Sequence, residues 1–213
     1  MQVKELLPHL FRTEYRKIIS VLGRHFGLEQ ISLAEEIASE PFLIAVETWG
    51  LKGLSEYPVA WLYTEAKNKT KDQLKRNLIF QHKIRTVLLT GEKEHAQTEI
   101  DLSDENIKDS QLQMMFAIAT PILSLESQIG LTLRILCGFG IEEIADTFLT
   151  NKETIHKRLT RAKEKLRSAK INIVLPTATE ISQRVDVVLT SLYLLFNEGY
   201  FSSSRNTVLR KDF

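Results

Sequence analysis

The chain is expected to be all-α, and three observations point that way. Apolar residues recur at helical spacing along most of its 213 residues. Alternating or β-branched runs of the strand type are almost absent. Nine glycines and five prolines are few for a chain of this length, so long stretches carry no breaker.

The elements follow in order. Between His9 and Phe26, the residues Leu10, Phe11, Tyr15, Ile18, Ile19, Leu22 and Phe26 share one helical stripe, and Gly27 is placed to end it. Ser32 and Glu35 match a capping box and open a second helix, which runs to about Trp49 through Ile37, Phe42, Ala45 and Val46. Pro41 lies inside it, where a lost backbone hydrogen bond and a crowded preceding turn predict a kink or a break. Pro58 suits the first turn of a third helix carrying Trp61, Leu62, Ala66 and Leu74. From about Thr90 to Asp109 the chain is polar, acidic and weakly periodic, which reads as a flexible linker. Helical patterning resumes at Ser110 with Leu112, Met115, Phe116 and Ala119, until Pro121 closes it. Ser124 then caps a helix through Ile129, Leu133 and Leu136 that ends at Gly138 or Gly140. After Lys170, INIVLPTATEISQR reads as an extended connector, and Val185 to Phe196 as an apolar helix that needs a partner surface.

The most telling segment is Ile141 to Arg167. Ile141, Ile144, Ala145 and Phe148 form the apolar stripe of a short helix with acidic Glu142, Glu143 and Asp146 outside. Thr150 and Glu153 match a capping box, so a new helix begins near Asn151. In it Ile155, Leu159, Ala162 and Leu166 line one stripe, and Lys152, His156, Lys157, Arg158, Arg161, Lys163, Lys165 and Arg167 occupy the other faces. Two helices on a tight turn, with cations on the second only, are the layout of a helix-turn-helix that reads DNA.

Charge supports a nucleic-acid partner. The formal net charge is only +1, but Lys67, Lys69, Lys71, Lys75, Arg76, Lys83 and Arg85 make one basic block and Lys152 to Lys170 another, with an acidic stretch between them. Two separated basic blocks suggest two contacts with nucleic acid. The five histidines are dispersed and none has a second ligand at metal-site spacing. Neither a glycine-rich phosphate loop nor a nucleophile elbow occurs, so the chain is not expected to be an enzyme, and no cofactor or metal is expected. The lone Cys137 lies among Leu133, Ile135, Leu136 and Phe139, where a small buried side chain fits better than a reactive thiol, and a reducing compartment suits it. With no signal peptide and no apolar run long enough for a bilayer, the expected location is the cytoplasm, with no membrane contact.

The strings HLFRTEYRKII, LAEEIASEPFLIAVETW and PVAWLYTEAKNKTKDQLKR, followed by SLESQIGLTLRILCGFGIEEIADTFLTNKETIHKRLTRAKEKLR, resemble regions 2 and 4 of bacterial RNA polymerase sigma factors of the extracytoplasmic-function group. The resemblance covers most of the chain. It implies a region 2-like helical domain over residues 1–89, an acidic linker over 90–109, and a region 4-like helix-turn-helix domain over 110–170. RVDVVLTSLYLLFNEGY, within 171–213, looks like the start of the long C-terminal helical extension of one subgroup; the extension runs further in that subgroup, so either a truncated chain or an abbreviated gene product is expected.

What the resemblance implies for function is a specificity subunit that binds core RNA polymerase, recognises two promoter elements and directs initiation. Core polymerase would be met by Glu35, Glu36, Ile37, Glu40 and Phe42; Glu36 and Ser39 stand where the family often has Asp and Gln, and Pro41 is unusual. The −10 element would be met by Trp61, Lys67, Asn68, Asp72, Lys75 and Arg76. Trp61 is a better candidate for the core than for a stacking platform, because bulky apolar residues at helical spacing usually face inward. The −35 element would be met in the major groove by Lys152, Glu153, Thr154, His156 and Lys157, with Arg158, Arg161 and Lys165 on phosphate. Partners would be core polymerase, promoter DNA, and an anti-sigma factor or the chain's own C-terminal extension as regulator. The alternative is a helix-turn-helix regulator that acts without polymerase; such proteins usually dimerise, and no heptad dimerisation helix is present.

Overall fold

The computed structural model describes residues 3–88, 100–171, 173–174 and 176–200. The protein is all-α: the described residues form helices α1 (Val3–Phe26), α2 (Ile31–Lys52), α3 (Pro58–Leu88), α4 (Asp104–Ile118), α5 (Leu125–Ile135), α6 (Ile141–Thr147), α7 (Lys152–Ala169) and α8 (Ala178–Tyr200), and no strand.

In the first unit α1 packs along α2, and α2 along α3. The stripe on α1 is the reason: Ile18, Ile19 and Leu22 have no exposed surface, and burying each such side chain contributes roughly 1.5–3 kcal/mol. Gly27 ends α1 at φ 84° and Gly53 ends α2 at φ 86°, a backbone region that favours glycine. The sequence placed the start of α2 at a Ser32–Glu35 capping box. Instead Leu28–Gln30 forms a 3-10 turn, α2 opens at Ile31, and Glu35 is committed elsewhere. Of the kink or break expected at Pro41, the break does not occur. Pro41 costs α2 one hydrogen bond, about 3 kcal/mol in an isolated helix, yet the helix continues because Ile37, Ala38, Pro41, Phe42 and Ala45 are all buried and anchor it on both sides. Buried Glu14 is satisfied across the unit, accepting from Tyr63 Oη at 2.7 Å and Lys17 Nζ at 3.0 Å.

The second unit begins earlier than its apolar pattern suggests. Ser103 caps α4, its hydroxyl accepting from the Asn106 N–H, and Asp104 and Glu105 fill the first turn. Residues 104–109, expected in the linker, are therefore helical. Their negative charge is what a helix N-terminus favours rather than a mark of disorder. Residues 90–99 of the expected linker lie outside the described residues. Helix α4 lies against α1, where Gly23 leaves room for Met114: a Cβ there would sit 2.5 Å from Met114 Cε. Arg24 adds a hydrogen bond to Asn106 at 3.1 Å. The buried residues of both units thus form one contiguous cluster, not two separate cores.

The segment expected to be a connector up to Arg184 is helical from Ala178. Thr177 and Glu180 form a capping box, with the Thr177 N–H donating to the Glu180 carboxylate at 2.9 Å and the Glu180 N–H reaching Thr177 Oγ1 at 3.4 Å. Helix α8 folds back on α4 and α5, burying Val187, Val188 and Ser191, while Arg184 donates to the Phe116 carbonyl at 3.2 Å. Leu189, Leu192 and Tyr193 face outward.

Cys137 is buried beside α5, and burial pushes its thiol pKa up to about 12. The thiolate is the reactive species, so a disulfide reagent at neutral pH should modify the folded chain only as fast as it opens and react at once in denaturant. Rapid labelling of the folded protein would show that this core is not closed.

Candidate nucleic-acid interface

Helices α6 and α7 form the helix-turn-helix. The N–H of Gly140 donates to the Glu143 carboxylate at 2.7 Å, fixing the start of α6. In the turn, the Thr150 N–H bonds the Ala145 carbonyl at 2.9 Å and Leu149 takes φ 50°. The cap of α7 is Asn151, not Thr150: its side chain accepts from the Thr154 N–H at 2.8 Å. Glu153 consequently makes no capping box and pairs instead with Lys157 at 2.6 Å. The capping signal was real but one residue out of register, because Asn caps as well as Ser or Thr and here holds the extended backbone the position needs.

Leu149 is 95% exposed, so its side chain contributes no packing while its backbone occupies the left-handed region. That conformation costs a leucine about 1–2 kcal/mol, and asparagine adopts it more readily. Leu149→Asn is therefore expected to raise stability by about 1 kcal/mol, read as a higher midpoint in thermal melting. A lower midpoint would mean that the turn does not hold this conformation.

Helix α7 buries Ile155, Leu159, Ala162 and Leu166, the stripe expected from sequence. Lys152, Glu153, His156, Lys157, Arg161 and Lys165 are exposed, and Thr154 and Arg158 half-buried. Lys152 pairs with Glu142 of α6, tying the two helices together. Between α7 and the start of α5 lies a cleft of about 460 Å³ with Ser124, Glu126 and Ser127 on one wall and Lys157, Arg158, Arg161 and Lys165 on the other. The Arg158 guanidinium sits 5.4 Å over the Phe148 ring, and its Nη1 is buried with no hydrogen-bond partner. A buried guanidinium N–H without an acceptor is costly in an isolated protein. Neither the Phe148 support nor the serine wall was visible in the sequence, since the first depends on how the end of α6 meets α7 and the second on how α5 crosses α7.

On α3, Asn68, Asp72, Lys75 and Arg76 are exposed on one face, at spacings of four, seven and eight residues, with Lys67 half-buried at its edge. Trp61 does not join them. Its ring packs 5.2 Å from Trp49 and against the core, so it serves packing rather than as an open stacking platform.

The set expected to meet polymerase is the one the structure changes most. Ile37 and Phe42 are each 4% exposed and belong to the core. Glu35 pairs with Lys163, and Glu40 with Lys69. Glu36 alone of the five is exposed. The outward face of α2 carries Leu43, Val46 and Leu51 instead, Leu43 at 63% exposure. Helical phase separates Leu43 from Phe42 by about 100°, and with both apolar only the packing decides which one turns inward. Among the described residues no group of three or more His, Cys, Asp and Glu side chains is placed to hold a metal ion, and no helix is long and apolar enough to cross a membrane.

Comparison with known proteins adds one relative. An uncharacterized protein of Rhizobium meliloti is 30% identical over 184 residues, which is 85% of this chain. The chain spans 43% of that relative's length. No family model and no solved structure matches.

Proposed function

We propose that this chain is a promoter-specificity subunit of bacterial RNA polymerase, of the sigma type, in which α2 docks on core polymerase, α3 meets the −10 element and α7 reads the −35 element. The observation that carries the reading is the cleft beside α7, where four cations, Lys157, Arg158, Arg161 and Lys165, outnumber the single carboxylate of Glu126 at the N-terminal end of α5. Phosphate is the group that this chemistry suits. Lys152, Thr154, His156 and Lys157 at the start of α7 are then placed toward base edges, with Arg158, Arg161 and Lys165 on the backbone. On α3, the exposed Asn68, Lys75 and Arg76 suit a separated strand. Polymerase supplies the chemistry, and this chain supplies address and strand capture. The arrangement as two units joined by the stretch before α4 belongs to the same reading, as does a cytoplasmic location.

Co-elution with purified bacterial core RNA polymerase in size-exclusion chromatography at moderate salt tests it. The expected result is a stable complex that Leu43→Glu together with Val46→Glu abolishes. A chain that binds duplex DNA but never polymerase would instead be a stand-alone helix-turn-helix regulator.

A further inference from the structure

We infer that α8 is a self-association face, covered by α8 of a second copy of this chain in an antiparallel pair. The inference goes beyond the proposed function and does not depend on it. It comes from how the surface of α8 is divided. One face buries Val187, Val188 and Ser191 against α4 and α5, and the Arg184 guanidinium is spent on Glu180 at 2.8 Å and on the Phe116 carbonyl at 3.2 Å. The outward face carries Ile181, Leu189, Leu192 and Tyr193 at 40%, 57%, 40% and 63% exposure, with Val185 half-buried among them. At about 100° per residue these five side chains fall within one third of the helix circumference, so they form a single row. No charged residue falls inside that row, and Asp186 lies at its edge.

Area, charge and spacing select the occupant. An apolar row of this exposure offers roughly 400 Å² per copy. Interfaces are only about 60% apolar, so the row with its polar edges reaches roughly 700 Å², near the about 800 Å² per partner of a standard stable interface. A surface that meets its own copy about a two-fold axis must be complementary to itself. An uncharged row meets that condition and offers a charged partner nothing to pair with. Val185, Leu189 and Leu192 repeat at four and then three residues, the spacing at which side chains of two helices interlock along a seam. Antiparallel pairing sets Leu189 of each copy against Leu192 of the other and opposes the two helix dipoles. In that register Asp186 of one copy lies within about a turn of Tyr193 of the other, whose hydroxyl can donate to the carboxylate. The sequence shows no sustained heptad in this segment, because Val187, Val188, Leu194 and Leu195 are as apolar as the row. Only packing on α4 and α5 decides which of these residues stay outside.

Sedimentation equilibrium of the full chain up to about 100 µM tests the pairing. The samples are wild type, L189E, L192K, an equal mixture of those two variants, and L43E/V46E, which removes the exposed apolar face of α2. Wild type and L43E/V46E are expected to dimerise with a Kd of about 10 µM. L189E and L192K should each weaken association at least about tenfold. Their mixture should recover at least about fivefold of that loss, because the antiparallel register sets the new carboxylate of one chain against the new ammonium of the other. Helical circular dichroism checks that each variant is folded. Where a leucine variant melts early, Y193E at the most exposed position of the row sets a carboxylate near the second copy's Asp186 and should weaken pairing as much. A wild-type chain that stays monomeric to about 100 µM overturns the pairing without reference to any variant and leaves the face to a different partner. A dimer lost in L43E/V46E but kept in L189E assigns association to α2 and overturns it as well. A mixture no tighter than its components overturns the antiparallel register.

Discussion

Phe42→Ala should cost about 3–5 kcal/mol of folding stability, the range for removing a large aromatic from a packed core. Phe42 is 4% exposed and sits between α1 and α2, with Phe11 at 5.1 Å edge-on and Tyr15 at 6.4 Å. Most domains have only 5–15 kcal/mol in hand, so this one change removes a large part of the margin. The measurement is chemical denaturation followed by helical circular dichroism. A cost below about 1 kcal/mol would mean that the ring is not in the core. The consequence for function is practical: loss of polymerase binding by Phe42→Ala reports unfolding, not a contact, and Leu43 and Val46 are the residues to change. Leu43→Ala, at 63% exposure, should leave stability within about 0.5 kcal/mol of wild type.

Reversing charge at Arg158 and Arg161 together should weaken duplex binding by at least about a hundredfold, because two phosphate contacts become two repulsions. The salt dependence should change with it, the slope of log affinity on log salt falling by about 2. The effect should be the same for every DNA sequence, since both side chains are placed for backbone rather than base edges. Stability should change little: Arg161 is exposed, and Arg158 loses only its place over Phe148, about 0.5–1 kcal/mol. The checks are anisotropy across a salt series and a thermal melt of the same sample. Unchanged binding in a folded double variant would remove α7 from any DNA interface and with it both the sigma and the stand-alone regulator readings.

Much of the fold was legible in the residues. Leu10, Ile18, Ile19 and Leu22 on α1, and Ile155, Leu159, Ala162 and Leu166 on α7, are buried as their spacing requires. The helix-turn-helix and the ends at Gly27 and Pro58 also follow from local rules of period, capping and φ. Helix starts were less secure. At α4 and α8 polarity masked real caps, because the charges that stabilise a first turn are the same ones that mark a linker. At α7 a capping pattern was present in the sequence but the neighbouring Asn151 took the role, and at α2 the helix opens from a 3-10 turn with no side-chain cap.

The sequence by itself determined the helical class, the buried stripe of α7 and most of that of α1, and the basic character of α7, since these depend on neighbours within a few residues; Phe11, Val46 and Leu112, expected on buried stripes, are exposed. Tertiary structure decided the rest. Whether Phe42 or Leu43 turns inward, whether Trp61 packs on Trp49, and whether Glu35 caps its own helix or reaches Lys163 all depend on which surface lies opposite. The same holds for the joining of the two units into one core, where Gly23 on α1 admits Met114 from α4. The physical reason is range: backbone hydrogen bonding and helical period act over one or two turns, whereas desolvation and ion pairing are set by atoms that the chain brings together from a hundred residues away.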